Sequence, residues 1–106
     1  MIKVYGSFKC PYCMVLKQNL DENHVAYEFV DILENLGNLG AFLAIRDREP
    51  VFDHLKAVND IGLPALVGED GSVWTDWERW LSDHGYEIFI PESSLNQTCS
   101  LDRKGC

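Results

Sequence analysis

The chain has 106 residues, 46% hydrophobic and 25% charged, which is the size and composition of one globular domain and excludes a disordered or low-complexity chain. Nine Lys and Arg against 17 Asp and Glu give a formal charge of −8, a surface that repels phosphate backbones and sets nucleic-acid binding aside. With no apolar run of about 18 residues for a membrane span, and no charged-then-apolar build at Met1-Ile-Lys-Val-Tyr5, a cytoplasmic, monomeric protein without membrane contact is expected.

Residues 2–5 are β-branched and aromatic and predict a short strand, with 6–8 as a loop. A helix is predicted from Pro11, because proline is tolerated in a first helical turn. Cys13, Leu16 and Leu20 follow at helical spacing. Residues 26–32 read as a second strand. Residues 33–47 predict a helix with a Leu36, Leu39, Leu43 stripe beside Phe42, weakened by Gly37 and Gly40 at about 1 kcal/mol each. Glu49-Pro50 restarts the chain, and Val51, Phe52, Leu55 and Val58 form a further helical face that ends by Gly62.

Residues 64–67 are a compact apolar strand. Glu69-Asp-Gly71 predicts a hairpin turn, and residues 72–74 the returning strand. Thr75 is placed to cap a last helix in a capping box with Glu78. Trp77, Trp80 and Leu81 give that helix its apolar face, and Gly85 ends it. Residues 86–90 are a further apolar run with no assigned place. The order β-α-β-α-(α)-β-β-α implies a parallel pair from the first strand–helix–strand unit and an antiparallel pair from the hairpin. An α/β fold with a four-stranded mixed sheet flanked by helices is expected, as a domain over residues 1–90 with a polar tail over 91–106.

The chemistry concentrates near the N-terminus. Residues 1–20 carry Lys3, Lys9 and Lys17 and no acidic residue, whereas the remainder has six basic against 17 acidic residues. Within this positive island lies Cys10-Pro-Tyr-Cys13, a C-x-x-C pair, which signals either a dithiol redox couple or metal ligands. Cys10 falls at a loop–helix junction, where free N–H groups, the positive helix end and the lysines favour an ionised sulfur and lower its pKa from about 8.5. Cys13 falls one turn inside the helix, nearer the core. An exposed nucleophile with a buried resolving partner is what thiol–disulfide exchange requires. The alternative is a metal or iron–sulfur carrier that uses Cys10, Cys13, Cys99 and Cys106; the wide Cys99–Cys106 spacing and the proline between the first pair favour redox chemistry.

Cys10-Pro-Tyr-Cys13 after an N-terminal strand resembles the active site of dithiol glutaredoxins. Ile61-Gly-Leu-Pro64 before a strand is similar to that family's cis-proline loop, and Trp74-Thr75-Asp76 to its Thr-Asp motif. The resemblance covers residues 1–84. It implies a thioredoxin-like fold, disulfide oxidoreductase activity, and glutathione or another small thiol as partner beside protein disulfides. By it Cys10 is the nucleophile and Cys13 the resolving thiol. Leu63 offers its backbone to the cysteine moiety of glutathione beside a cis Pro64, Thr75 and Asp76 hold the γ-glutamyl end, and Tyr12 packs against the ligand. Ser7 stands where the family usually carries a cation, and Lys9 is the expected substitute.

Arg46 and Arg48 are within reach of a ligand carboxylate on this reading, although a solvated helix end beside Asp47 and Glu49 is favoured. Cys99 and Cys106 lie outside the family pattern. A second redox pair, two free thiols and a shared metal all remain open for them, with a tail pair oxidised on its own preferred to a relay.

Overall fold

The fold is seen in a computed structural model, which describes residues 1–89. In chain order the elements are β1 (Ile2–Gly6), α1 (Pro11–Glu22), β2 (Tyr27–Asp31), α2 (Leu36–Arg48), a 3-10 turn (Pro50–Phe52), α3 (Asp53–Ala57), β3 (Ala65–Val67), β4 (Val73–Trp74) and α4 (Trp77–Asp83). The four strands form one sheet in the order β2-β1-β3-β4. β1 pairs parallel with β2, which a single helical crossover permits, and antiparallel with β3, which pairs antiparallel with β4. The expected mixed sheet and helix order are both present, in the thioredoxin-like arrangement.

Alternation along the strands builds two cores. Phe29, Val4, Leu66 and Trp74 form one row across the sheet and pack beneath Val15, Leu16 and Leu20 of α1 and Trp77 and Leu81 of α4. The neighbouring row, Val30, Tyr5 and Ala65, faces the other way, against Phe42 of α2, Phe52 of the 3-10 turn and Leu55 of α3. Cys10 and Cys13 belong to this second core.

The stripe expected on α2 is corrected. Leu36 is 83% exposed and Leu43 39%, whereas Phe42 is fully buried and Leu39 and Ile45 pack beside it. Asn35 caps the helix by accepting from the Asn38 amide at 2.8 Å, so it starts three residues later than expected. The buried face is set by Phe42, whose ring lies 6.2 Å from Tyr5 and 6.1 Å from Phe52. Around the helix axis Leu39 and Ile45 fall about 60° from Phe42, and Leu36 and Leu43 about 100° or more.

The apolar run after α4 also has a place. Asn23 of the α1 C-cap and Asn19 within α1 hold the backbone of Glu87 and Phe89. Ile90, the tail from Pro91, and Cys99 and Cys106 lie outside the described residues.

Candidate active site

The turn that ends β1 is organised by its own backbone. The Ser7 carbonyl accepts from the Cys10 amide at 3.1 Å, and the Ser7 Oγ accepts from the Lys9 amide at 3.0 Å. Pro11 then opens α1, with Cys10 as its N-cap in extended conformation. The Cys10 Sγ accepts from the Cys13 amide at 3.3 Å, the contact of a capping side chain with the third residue of a helix. Gly6 lets this turn sit close to the sheet: a Cβ there would lie 3.1 Å from the Cys13 Sγ and 3.2 Å from the Phe29 ring.

The pair is in its dithiol form, and the two sulfurs are unequal. The expectation of an exposed Cys10 is corrected: the sulfur turned onto the helix end packs into the second core, and Cys10 is buried with 7% of its surface exposed, against none for Cys13. The Cys13 thiol is pushed well above its ordinary range, first by its hydrogen bond with Cys10, then by burial and the Cys10 charge. A smaller push comes from Asp31, and the Ser7 backbone opposes it. Cys13 therefore holds its proton and directs it at the Cys10 sulfur.

Tyr12 joins this turn to α4. Its hydroxyl donates to the Glu78 carboxylate, and its ring meets Trp77 edge-on at 5.6 Å. The cap of α4 is corrected from the sequence reading. Asp76, not Thr75, is the N-cap, and its carboxylate accepts from the Arg79 amide at 3.2 Å. Asp76 lies one residue nearer the helix and reaches the orphan N–H, while Glu78 is engaged by Tyr12 and closes no box with Thr75. Thr75 is buried behind it, its carbonyl accepting from the Trp77 amide at 3.0 Å.

The third component is the loop before β3. Its Leu63–Pro64 bond is cis, where the resemblance placed it. The Asp60 Oδ1 accepts from the Gly62 amide at 2.9 Å. Gly62 has φ +98°, a conformation that favours glycine, and a Cβ there would strike the Phe52 ring at 2.9 Å. Arg46 of α2 holds this loop from below. Its Nε donates to the Ile61 carbonyl and its Nη2 to the Asp60 carbonyl, both at 2.9 Å. Arg46 is thus bonded to the loop backbone, and Arg48 pairs with Glu49 at 3.1 Å.

A groove of about 680 Å³ runs between α3 and the start of α4, lined by Val51, His54, Leu55, Val58, Thr75, Asp76 and Glu78. The structure thereby brings Thr75 and Asp76 together with α3, and Tyr12 to the groove's edge through Glu78. Leu63 packs in one core with Cys10, Cys13 and Leu55. Lys9 is exposed at the turn. Lys17 is corrected as a support for Cys10: its ammonium pairs with Asp21 at 3.1 Å, one helical turn further from the cysteine. Trp74 lies on the other face, stacked on Trp80 at 5.8 Å beside a second groove.

The groove residues of α3 and the 3-10 turn were read in the sequence only as an apolar face. His54 carries no local pattern that marks it. Among the described residues no cluster of three or more His, Cys, Asp or Glu is placed to hold a metal. The metal alternative needs Cys99 and Cys106, which lie outside them. No helix among the described residues is long and apolar enough to cross a membrane.

Residues 2–48 match the family model of glutaredoxin. The match takes in Cys10-Pro-Tyr-Cys13 and ends before the Leu63–Pro64 loop. A protein of Haemophilus influenzae described as uncharacterized is 37% identical over 70 residues, which are 66% of this chain and 81% of that protein.

Proposed function

From the chain's membership of the glutaredoxin family, we propose that it reduces protein disulfides and glutathione mixed disulfides through the Cys10–Cys13 dithiol. The observation that carries this reading is the inequality of the two sulfurs. Cys10 sits at a helix N-terminus with an N–H and a thiol directed at it, and Cys13 is buried with its proton held. Helix end and hydrogen bonds stabilise negative charge on Cys10, which makes it the nucleophile.

The Cys10 thiolate attacks one sulfur of the substrate disulfide. A Cys10–substrate bond forms, the substrate S–S bond breaks, and the released thiolate takes a proton. Cys13 then gives up its proton and attacks the Cys10 sulfur, which frees the second substrate thiol and leaves a Cys10–Cys13 disulfide. Alternatively an external thiol attacks the substrate sulfur bonded to Cys10, and Cys13 is not needed.

Glutathione is the small-thiol partner this reading favours. Its cysteine moiety would lie against the Leu63 backbone beside Pro64. Its γ-glutamyl ammonium would meet Asp76, with Thr75 beside it, at the mouth of the groove. Tyr12 would form the rim, and Lys9 is exposed at the turn beside Cys10. The cytoplasm, where thiols are kept reduced, is the setting that suits a dithiol of this kind, and a monomer suffices for it.

The test is turnover of two substrates by two variants. Cys10→Ser is expected to abolish release of glutathione from a glutathionylated peptide. Cys13→Ser is expected to keep that release and to lose reduction of an intramolecular peptide disulfide. Activity retained by Cys10→Ser would overturn the assignment.

A further inference from the structure

The turn that carries Cys10 has an aromatic corner. The Ser7 carbonyl accepts from the Cys10 amide at 3.1 Å, which closes a four-residue turn with Phe8 and Lys9 as its central pair. Turns are dominated by Gly, Pro, Asn, Asp and Ser. Lys9 suits a solvated corner, and Phe8 does not. The Phe8 ring rests on Phe29, with centroids 4.9 Å apart, yet 59% of the residue is left in water.

Phe8 is not a lone surface hydrophobe. β1 and β2 run parallel, with Gly6 opposite Asp31 and the Ile32 amide donating to the Gly6 carbonyl at 2.9 Å. Leu33, 58% exposed, therefore leaves β2 at the sheet end where Phe8 leaves β1. β3 runs antiparallel to β1, with Ala65 opposite Tyr5, so the exposed Ile61 in the loop before β3 reaches the same end. The strand order β2-β1-β3 sets Leu33, Phe8 and Ile61 in sequence across that end, and Cys10 follows Phe8 by two residues. Exposed apolar residues gathered in one place mark a contact surface, whereas scattered ones do not. The chemistry of the turn fixes the occupant. A substrate cysteine bonded to Cys10 has its Cα about 4.4–6.8 Å away, and its chain neighbours stand about 3.8 Å beyond that. Phe8 is two peptide units from Cys10, at most about 7.6 Å. Because Cys10 is almost wholly buried, a polypeptide that reaches its sulfur must lie on the turn beside it.

We propose that Phe8 is a specificity-determining residue: it docks a large apolar side chain next to the reacting cysteine of a protein disulfide, with Leu33 and Ile61 extending the contact. The proposal rests on Cys10 as the nucleophile, and it names the class of protein disulfide that the dithiol reduces best. The exchange itself is unchanged. The reduced pair and one substrate disulfide become a Cys10–Cys13 disulfide and two substrate thiols, with two electrons and two protons passed to the substrate. Phe8 takes no part in bond making; it raises the occupancy of the encounter complex before the Cys10–substrate bond forms. Glutathione has no large apolar side chain to offer Phe8, and the contacts proposed for it lie at Leu63, Thr75 and Asp76. Phe8 therefore separates protein substrates from one another and leaves the small thiol aside.

The test sets the full chain, reduced beforehand, against two symmetrical peptide disulfides, one of acetyl-Leu-Cys-Leu-amide and one of acetyl-Ser-Cys-Ser-amide. Release of peptide thiol in a single turnover is followed over a range of peptide concentrations. Each rate is divided by that of dithiothreitol on the same peptide, which removes the peptide's own reactivity. The parent should favour the leucine peptide about three- to tenfold, less than a closed hydrophobic pocket gives. The preference should lie in a lower half-saturation concentration and not in a higher limiting rate. Phe8→Ala should bring the ratio close to one, and Phe8→Leu should keep most of it. A parent with no preference, or a ratio that survives Phe8→Ala, would overturn the assignment and leave the Cys10–Cys13 chemistry standing. An equal loss on both peptides in Phe8→Ala would overturn it too, since Phe8 would then only cover Phe29. A reduced parent that acts on neither peptide would remove both readings.

Discussion

Arg46→Ala removes the only side-chain clamp seen on the backbone of the Asp60–Ile61 segment among the described residues. Two N–H groups of one guanidinium meet two successive carbonyls at 2.9 Å each. Hydrogen bonds from a charged donor contribute about 1.5–3 kcal/mol each when well shielded. Arg46 is half-exposed and the Ile61 carbonyl is open to water, so the sum is expected near 2–3 kcal/mol rather than the full range. At a slope of about 1–1.5 kcal/mol per molar urea, that moves the unfolding midpoint down by roughly 2 M with the slope unchanged. Arg46→Lys should recover less than half, because an ammonium cannot fork across two acceptors. On the proposed reading the loop also presents Leu63 to the substrate, so KM for a glutathionylated peptide should rise several-fold while Cys10 alkylates at the parental rate. Urea titration followed by tryptophan fluorescence, together with steady-state kinetics, checks both. A midpoint shift worth less than about 0.5 kcal/mol, or full rescue by lysine, would refute the clamp.

Other expectations are equally open to measurement. At about pH 6 iodoacetamide should label Cys10 well before Cys13, and equal labelling in a peptide map would refute the inequality of the sulfurs. Cys13 holds its proton more tightly in the fold than its ordinary pKa of 9.0 would allow. Its contribution to stability is therefore complete below about pH 9 and is lost as the pH rises above it, where the unfolded chain ionises first. The reduced protein should lose stability above about pH 9 more steeply than Cys13→Ala, and parallel urea-midpoint profiles would sink that. Asp76→Ala should cost about 1 kcal/mol through loss of the α4 cap. Asp76→Asn should keep the cap yet weaken turnover of glutathione mixed disulfides; if asparagine matches the parent in both stability and turnover, the carboxylate only caps.

Legibility in the sequence followed the range of the interactions. β1, the start of α1 and the β3–β4 hairpin rest on signals a few residues long: alternation at Val4 and Tyr5, Pro11 in a first turn, Gly71 in the hairpin. The buried face of α2 rests on Phe42 meeting Tyr5 and Phe52, partners on other elements, so a leucine stripe misled. Thr75 and Asp76 are both good N-caps, and only the reach of one carboxylate to the Arg79 amide separates them. Arg46 was the least legible. Its partners are carbonyls 14 and 15 residues away, and every residue type has a carbonyl, so no pattern could mark them. The resemblance supplied the cis Leu63–Pro64 bond, which composition and periodicity could not.

The inequality of Cys10 and Cys13 follows from where one helix begins. Pro11 lacks the N–H that a first-turn residue leaves unpaired, so α1 can start there without loss. Cys10 then falls outside the helix, with its sulfur turned onto the Cys13 amide. Cys13, three residues on, faces the sheet, and Gly6 leaves just enough room for its sulfur. One sulfur meets helix N–H groups and a solvent edge, and the other meets carbon. In thiol–disulfide exchange the attacking sulfur gains from charge stabilisation, and the resolving sulfur must stay protonated until the mixed disulfide exists. Burial acts on Cys13 before attack, and loss of the Cys10 charge on forming the mixed disulfide removes the two Cys10 contributions that hold its proton. On the proposed mechanism, the first step thus eases the second.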